Sequence, residues 1–199
     1  MKNLLLSEKW RPKTIEDVIL LPRIRKIFEN GLNQNVILYG HFGTGKTTIA
    51  RILIGKYLKN TPHIELNSSF YTSIDVLRSK IDDFCSKVYM GFDMDSDIPK
   101  DSIKYVFLDE FERTSTQYQD ALKAYIEEFS TKNVRFILTT NHINKVSLGI
   151  RSRLTEVNFD CQSTEEEKYL KTEIFKKINN VIAPKEGFEI PKDDLIKII

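Results

Sequence analysis

Apolar positions along this chain fall into short continuous runs separated by stretches of helical spacing, and that alternation sets the architecture before any chemistry is considered. Asn35-Val36-Ile37-Leu38-Tyr39, Ile103-Lys104-Tyr105-Val106-Phe107-Leu108 and Val134-Arg135-Phe136-Ile137-Leu138 are nearly unbroken, as expected of strands buried on both faces of a parallel sheet. His63-Ile64-Glu65-Leu66-Asn67 and Thr155-Glu156-Val157-Asn158-Phe159 add two shorter strands. Between them lie helical patterns over 48–54, through Ile74, Leu77, Ile81 and Phe84, and over 114–129, where Ala121, Leu122, Tyr125, Ile126 and Phe129 share one stripe. A strand–helix alternation of this kind predicts an α/β fold, a parallel sheet sandwiched by helices.

The flanks differ from this middle. Residues 7–34 carry Arg11-Pro12, which imposes an extended entry, then Pro22 and a helical pattern through Ile24, Ile27, Phe28 and Leu32 that Gly31 helps to end. Residues 90–100, with Gly91, Pro99 and several aspartates, read as a loop. From Ser163 strands give way to helices: Ser163-Thr164-Glu165-Glu166 has the form of a capping box, and a helix follows through Tyr169, Leu170, Ile174, Ile178, Val181 and Ile182. Residues 184–187 are expected to break it, and 193–199 to open another helix. A domain boundary is placed near residue 161, giving an α/β domain over 1–160 and a partial helical domain over 161–199.

Composition narrows the picture modestly. A chain of 199 residues accommodates one α/β domain and part of a second unit. With 29% charged residues and a formal net charge of +2, the whole chain carries no nucleic-acid footprint, though a local basic face stays open. Cys85 and Cys161 lie far apart without clustered histidines, which argues against a zinc site or a disulfide framework. His63, at a strand start, reads as a surface residue. Leu4-Leu5-Leu6 is too short for a signal-peptide core or a membrane span. A soluble intracellular protein is expected, in the cytoplasm of a bacterial or phage-infected cell or in a nucleus.

The chemistry enters with Gly40-His41-Phe42-Gly43-Thr44-Gly45-Lys46-Thr47, followed by Thr48. The stretch fits G-x-x-x-x-G-K-[ST] between a strand and a helix, the context that a phosphate loop requires. Glycines let backbone N–H groups turn inward around a polyphosphate, and the following helix adds its amino-terminal partial charge. Lys46 is placed for the β- and γ-phosphates and Thr47 for Mg²⁺. The strand ending at Leu108 delivers Asp109 and Glu110 to the carboxyl edge of the sheet. Asp109 is suited to hold Mg²⁺ through water, and Glu110 to polarise the attacking water. Asn141 closes the fourth strand, where an amide can orient that water or sense the γ-phosphate. Arg151 and Arg153, in a short turn, are either a solvated pair or one of them reaches a phosphate on a neighbouring subunit.

Together these pieces resemble the AAA+ ATPases, and within them the sliding-clamp loader subunits of the phage large-subunit and replication factor C small-subunit type. Four elements carry the resemblance over residues 7–190: Glu8-Lys9-Trp10-Arg11-Pro12, similar to the loaders' Glu-Lys-Tyr-Arg-Pro box; Asp109-Glu110-Phe111-Glu112, similar to Asp-Glu-x-Asp; Gln119-x-Ala121-Leu122-Lys123 with Glu127; and Thr139-Thr140-Asn141 followed by Ser152-Arg153. The resemblance implies an ATP- and Mg²⁺-dependent hydrolase in which Lys46, Glu110 and Asn141 act in one site. Arg153 would complete a neighbour's site in trans, and Arg11, Pro12, Val18 and Ile19 would cradle adenine. It implies as partners other loader subunits, a sliding clamp and primer–template DNA, whose phosphates Arg78, Lys80, Arg113 and Lys123 would contact. No membrane partner is expected.

There are departures. Leu154 stands where the family has the Cys of Ser-Arg-Cys, Ala124 replaces a second arginine, and Asn67-Ser68-Ser69-Phe70 lacks the acid usual after that strand. Only the start of the family's helical lid and none of its collar is present, so either the chain is truncated or a second chain completes it. Such a piece is expected to bind ATP but to assemble poorly and hydrolyse slowly. Other readings are a helicase-loading or initiator ATPase, a module that uses ATP only for assembly, and a small-molecule P-loop kinase. The last would need phosphate-clamping arginines on a mobile lid.

Overall fold

The structure, a computed structural model, describes residues 5–29, 32–57, 62–70, 74–86 and 103–187. The expected loop over 90–100 and helix over 193–199 lie outside the described residues. The chain divides into two compact units, one of residues 27–160 and one that combines residues 1–26 with 161–199.

The larger unit is built on five parallel strands: β1 (Val36–Tyr39), β2 (His63–Asn67), β3 (Lys104–Asp109), β4 (Val134–Thr140) and β5 (Thr155–Asn158), in the spatial order β2-β3-β4-β1-β5. All strands run the same way, as the unbroken apolar runs require, since each central strand must bury both faces. The chain leaves the neighbouring strands β1 and β4 in opposite directions, β1 toward β2 and β4 toward β5. That reversal opens a crevice outside their carboxyl ends.

Helices α1 (Pro22–Phe28), α2 (Lys46–Tyr57) and α3 (Thr116–Ser130) precede β4 along the chain. The helix α1 stops at Phe28 rather than running on to Leu32, and Gly31 lies outside the described residues. Before α3 the chain makes a 3-10 turn, Phe111–Arg113, and Ser115 then caps α3 by accepting a hydrogen bond from the Tyr118 N–H. The apolar stripe of α3 is as expected at Leu122, Ile126 and Phe129, but Tyr118 and Gln119 are buried as well. Tyr118, Leu122, Ile126 and Phe129 join Ile37, Val106, Leu108, Phe136 and Leu138 in one core.

The Tyr118 ring is fully buried, and its hydroxyl has no hydrogen-bond partner among the described residues. Burial alone pushes the phenol up from its ordinary value. A buried hydroxyl without a partner costs desolvation and returns nothing, so Tyr118→Phe should leave stability unchanged or raise it by up to ~1 kcal/mol. Chemical denaturation of the variant checks this; a loss of more than ~1 kcal/mol would mean that the hydroxyl is satisfied after all.

In the smaller unit, α4 (Thr164–Lys177) is capped by the Ser163 hydroxyl, which accepts from the Glu166 N–H at 3.2 Å. The reciprocal half of the box is shifted by one residue: Glu166 accepts from the Gln162 N–H at 2.8 Å and also pairs with Arg23 at 2.8 Å. Pro184 does not break the helix. The chain passes through a wide π-type turn, Ile178–Ile182, and resumes as the helix Ala183–Glu186, so the proline falls in a first turn where its missing N–H is not needed. Termination comes at Gly187, which is left-handed at φ 73°.

Candidate functional site

Strand register brings the chemistry of the larger unit to one edge. Tyr39 pairs with Thr140 and Asn67 with Asp109, so the phosphate loop, Ser68-Ser69, Asp109-Glu110 and Asn141 all leave the sheet at its carboxyl side. The loop turns through Gly43 and Gly45, at φ 75° and 91°, and enters α2 with the Ile49 N–H on the Gly45 carbonyl at 2.8 Å.

Lys46 is only 6% exposed. Its ammonium donates to the carbonyls of Gly40 at 2.8 Å and His41 at 2.6 Å and to the Thr44 hydroxyl at 3.2 Å. The lysine is therefore folded into the loop it serves. Burial pushes the ammonium below its ordinary value, against the opposing pull of Asp160, Glu112 and Asp109. His41, Phe42 and Gly43 are exposed at the loop tip, and Phe42 meets the His142 ring edge-on with centroids 6.1 Å apart. Thr48 lies half-buried in the first turn of α2.

Asp109 is the polar hub. Its Oδ1 accepts from the Thr47 hydroxyl at 2.9 Å, from the Glu110 N–H at 3.2 Å and from the Thr139 hydroxyl. Glu110 has left-handed backbone, φ 55°, which turns its side chain off the strand line. There its carboxylate accepts from the Ser69 hydroxyl. Asn141 donates from Nδ2 to Glu112 Oε1 at 2.8 Å and from its N–H to Oε2 at 3.3 Å. Burial works to raise the Glu112 carboxyl, but its own backbone N–H and donors from Asn141 and Thr140 hold it below the usual value. The Asn141 amide is thus oriented by a carboxylate that the motif reading did not use.

The donors present fit Mg²⁺. The Thr47 hydroxyl and Asp109 carboxylate are adjacent oxygen ligands of the hard type that this ion takes. Among the described residues no group of three or more His, Cys, Asp or Glu side chains is placed to hold a metal by itself. That suits an ion held by one or two protein oxygens and completed by phosphates and water.

Arg153 lies at the other end of the sheet. It precedes β5, whose first residue Thr155 pairs with Val36 at the start of β1. Four residues of strand at roughly 3.3 Å each therefore separate it from the carboxyl edge. Its guanidinium donates from Nε to Glu127 of α3 at 2.8 Å and from Nη1 to the Gly149 carbonyl. It faces an open recess of about 450 Å³ lined also by Gln34, Asn35 and Arg135. Arg151 is tied instead to Glu156 at 2.7 Å. The buried Gln119 amide fixes the approach to this turn, accepting from the Ser147 N–H at 2.8 Å and donating to the Lys145 carbonyl at 2.9 Å.

In the smaller unit, Val18 is buried and Ile19 half-buried. Both line a cleft of about 400 Å³ shared with Arg25, Tyr169 and Lys176. Arg25 donates to the Val18 carbonyl at 3.0 Å. In the amino-terminal box, the Trp10 indole N–H donates to Glu186 at 2.7 Å, and Lys9 pairs with the same carboxylate. Arg11 is exposed and Pro12 half-buried beside them in sequence. The basic residues proposed for DNA are dispersed: Arg78 and Lys80 on the turn Arg78–Asp82, Arg113 exposed after the acidic strand end, and Lys123 half-buried on α3.

Five parallel strands, a phosphate loop at the switch point and an acidic strand end beside it define an AAA-type P-loop fold. Residues 36–160 match the profile of AAA, the ATPase family associated with various cellular activities, and the chain belongs to that family. It is similar to replication factor C subunit 5 of Arabidopsis thaliana, 37% identical over 76% of this chain and 41% of that protein. It is similar also to replication factor C small subunit 1 of Pyrobaculum islandicum, 31% identical over 100% of this chain and 57% of that one. The chain thus spans about half the length of these relatives. Among solved structures, the Thermotoga maritima RuvB Holliday junction branch migration motor superposes with a TM-score of 0.63 at 19% identity, over 87% of this chain and 55% of that one. That likeness concerns the fold alone.

Proposed function

We propose that this chain is an ATPase subunit of a DNA-polymerase sliding-clamp loader, with residues 1–160 as the nucleotide-binding domain and 161–199 as part of a helical lid. The replication factor C relatives support the loader assignment. The observation that carries the mechanism is the separation of Arg153 from the phosphate loop across the length of the sheet: the chain holds two complementary half-sites that it does not join itself.

In this reading the loop N–H groups and Lys46 bind the phosphates, and Lys46 exchanges the Gly40 and His41 carbonyls for phosphate oxygens. Glu110 accepts a proton from the attacking water, and Asn141, oriented by Glu112, holds that water in line. Thr47 and Asp109 would hold Mg²⁺, which would supply neutralisation of phosphate charge. Arg153 reaches the site of an adjacent subunit, Val18 and Ile19 with Arg11 and Pro12 enclose the adenine, and Arg78, Lys80, Arg113 and Lys123 contact DNA phosphates. Among the described residues no helix is long and apolar enough to cross a membrane.

The deciding experiment measures ATP turnover by the chain assembled with its partner subunits, with and without primed DNA and a sliding clamp. Stimulation by both is expected. The DNA effect should fall steeply with salt, because phosphate contacts release counterions. A turnover indifferent to both would overturn the loader assignment.

A further inference from the structure

Asp160 is the second residue beyond β5, and the site described above gives it no role beyond its charge near Lys46. Its Oδ1 accepts from the His41 N–H at 2.7 Å and lies 2.8 Å from His41 Nδ1. Its own N–H is held by the Asn158 side chain at 2.9 Å, and the preceding Phe159 N–H donates to the Tyr39 carbonyl at 2.7 Å, so the carboxylate projects from a fixed strand end. Gly40 makes room for it. A Cβ built there would meet Asp160 Oδ1 at 2.9 Å and Cγ at 3.2 Å, and φ is 142°. The first glycine of the loop thus serves approach by a side chain of this protein and a backbone conformation that L side chains rarely adopt.

The consequence runs through one residue. The His41 N–H is anchored by Asp160 while its carbonyl accepts from both Lys46 and the Thr44 hydroxyl, the latter at 2.9 Å. Whatever fixes residue 41 also fixes where the lysine rests and how the loop opens. Burial works to raise the Asp160 carboxyl, but the donors from His41 hold it below its usual value, so it stays an anion at neutral pH. An anion beside a polyanion site is unfavourable unless it is engaged, and both contacts from residue 41 engage it.

Resting on the reading of this loop as a nucleotide site, we propose that Asp160 is a positioning residue that pre-orders the Gly40–His41 peptide and thereby sets nucleotide affinity rather than the chemical step. A loop ordered in advance spares nucleotide the cost of ordering it on binding. The operative contact is the backbone N–H, with the exposed imidazole secondary.

The test is nucleotide affinity by titration calorimetry together with KM and kcat. Asp160→Ala should raise Kd and KM for ATP about tenfold and leave kcat within about twofold, as expected for lost uniform binding. Asp160→Asn, which keeps an acceptor for the His41 N–H, should stay within about threefold of the parent. If Asp160→Ala does not fold, Asp160→Glu replaces it. That variant retains the charge but moves the acceptor, and the same tenfold loss is expected. An unchanged Kd in Asp160→Ala or Asp160→Glu would overturn the inference alone. A parent chain whose affinity equals that of Lys46→Ala would overturn it together with the reading of the loop.

Discussion

Glu110→Gln is expected to lower ATP turnover of the assembled protein by about 10²–10³-fold while changing ATP affinity by less than about threefold. The substitution is isosteric and leaves an acceptor for the Ser69 hydroxyl, so the left-handed turn at residue 110 is undisturbed. What disappears is the capacity to take a proton from water. Asp109, Thr47 and Thr139 keep their mutual hydrogen bonds, and binding through the loop persists. Single-turnover hydrolysis alongside equilibrium nucleotide binding separates the two quantities. A variant that turns over ATP as fast as the parent would remove Glu110 from the chemistry and favour a module that uses ATP for assembly alone.

Arg153→Ala is expected to lower turnover of the assembled ring about 10³-fold, the scale of an arginine supplied in trans, with no effect on nucleotide binding by the isolated chain. The present partner of this arginine is Glu127, so reaching a neighbour's phosphate means exchanging one anion for another. Mixing decides whether the arginine acts across an interface. Lys46→Ala chains lack a working loop but retain Arg153, and Arg153→Ala chains are the converse. Rings containing both should regain measurable turnover at the interfaces where an intact loop meets an intact arginine. No recovery on mixing would place the arginine's effect within its own chain or in folding.

Much of this site was legible in local patterns. Central parallel strands are continuous apolar runs because both faces are covered, and the polar residues that end them mark the carboxyl edge. Asp109, Glu110 and Asn141 announce themselves in that way, and Lys46 and Thr47 by the glycine spacing of the loop before them. The Ser69 hydroxyl on Glu110, the grip of Glu112 on Asn141 and the Asp160–His41 contact did not. Each joins segments distant in sequence, and neither end has a spacing that points to the other. Buried Tyr118 and Gln119 escaped the apolar stripe of α3 because residue type labels them polar, while the core and the 145–147 turn enclose them. Pro184 was misleading for a different reason. A proline breaks a helix only where its N–H is needed, and the widened turn just before it removes that need.

If Arg153 completes a neighbour's site as proposed, the placement of loop and arginine at opposite ends of the sheet makes catalytic sites countable. In a head-to-tail array each finished site belongs to a junction rather than to a chain, so an open array carries one fewer than it has members and a closed one carries as many. Specific activity per chain then reports array length and closure. It should climb with protein concentration as isolated chains, each with an unanswered loop and an idle arginine, find their first neighbours.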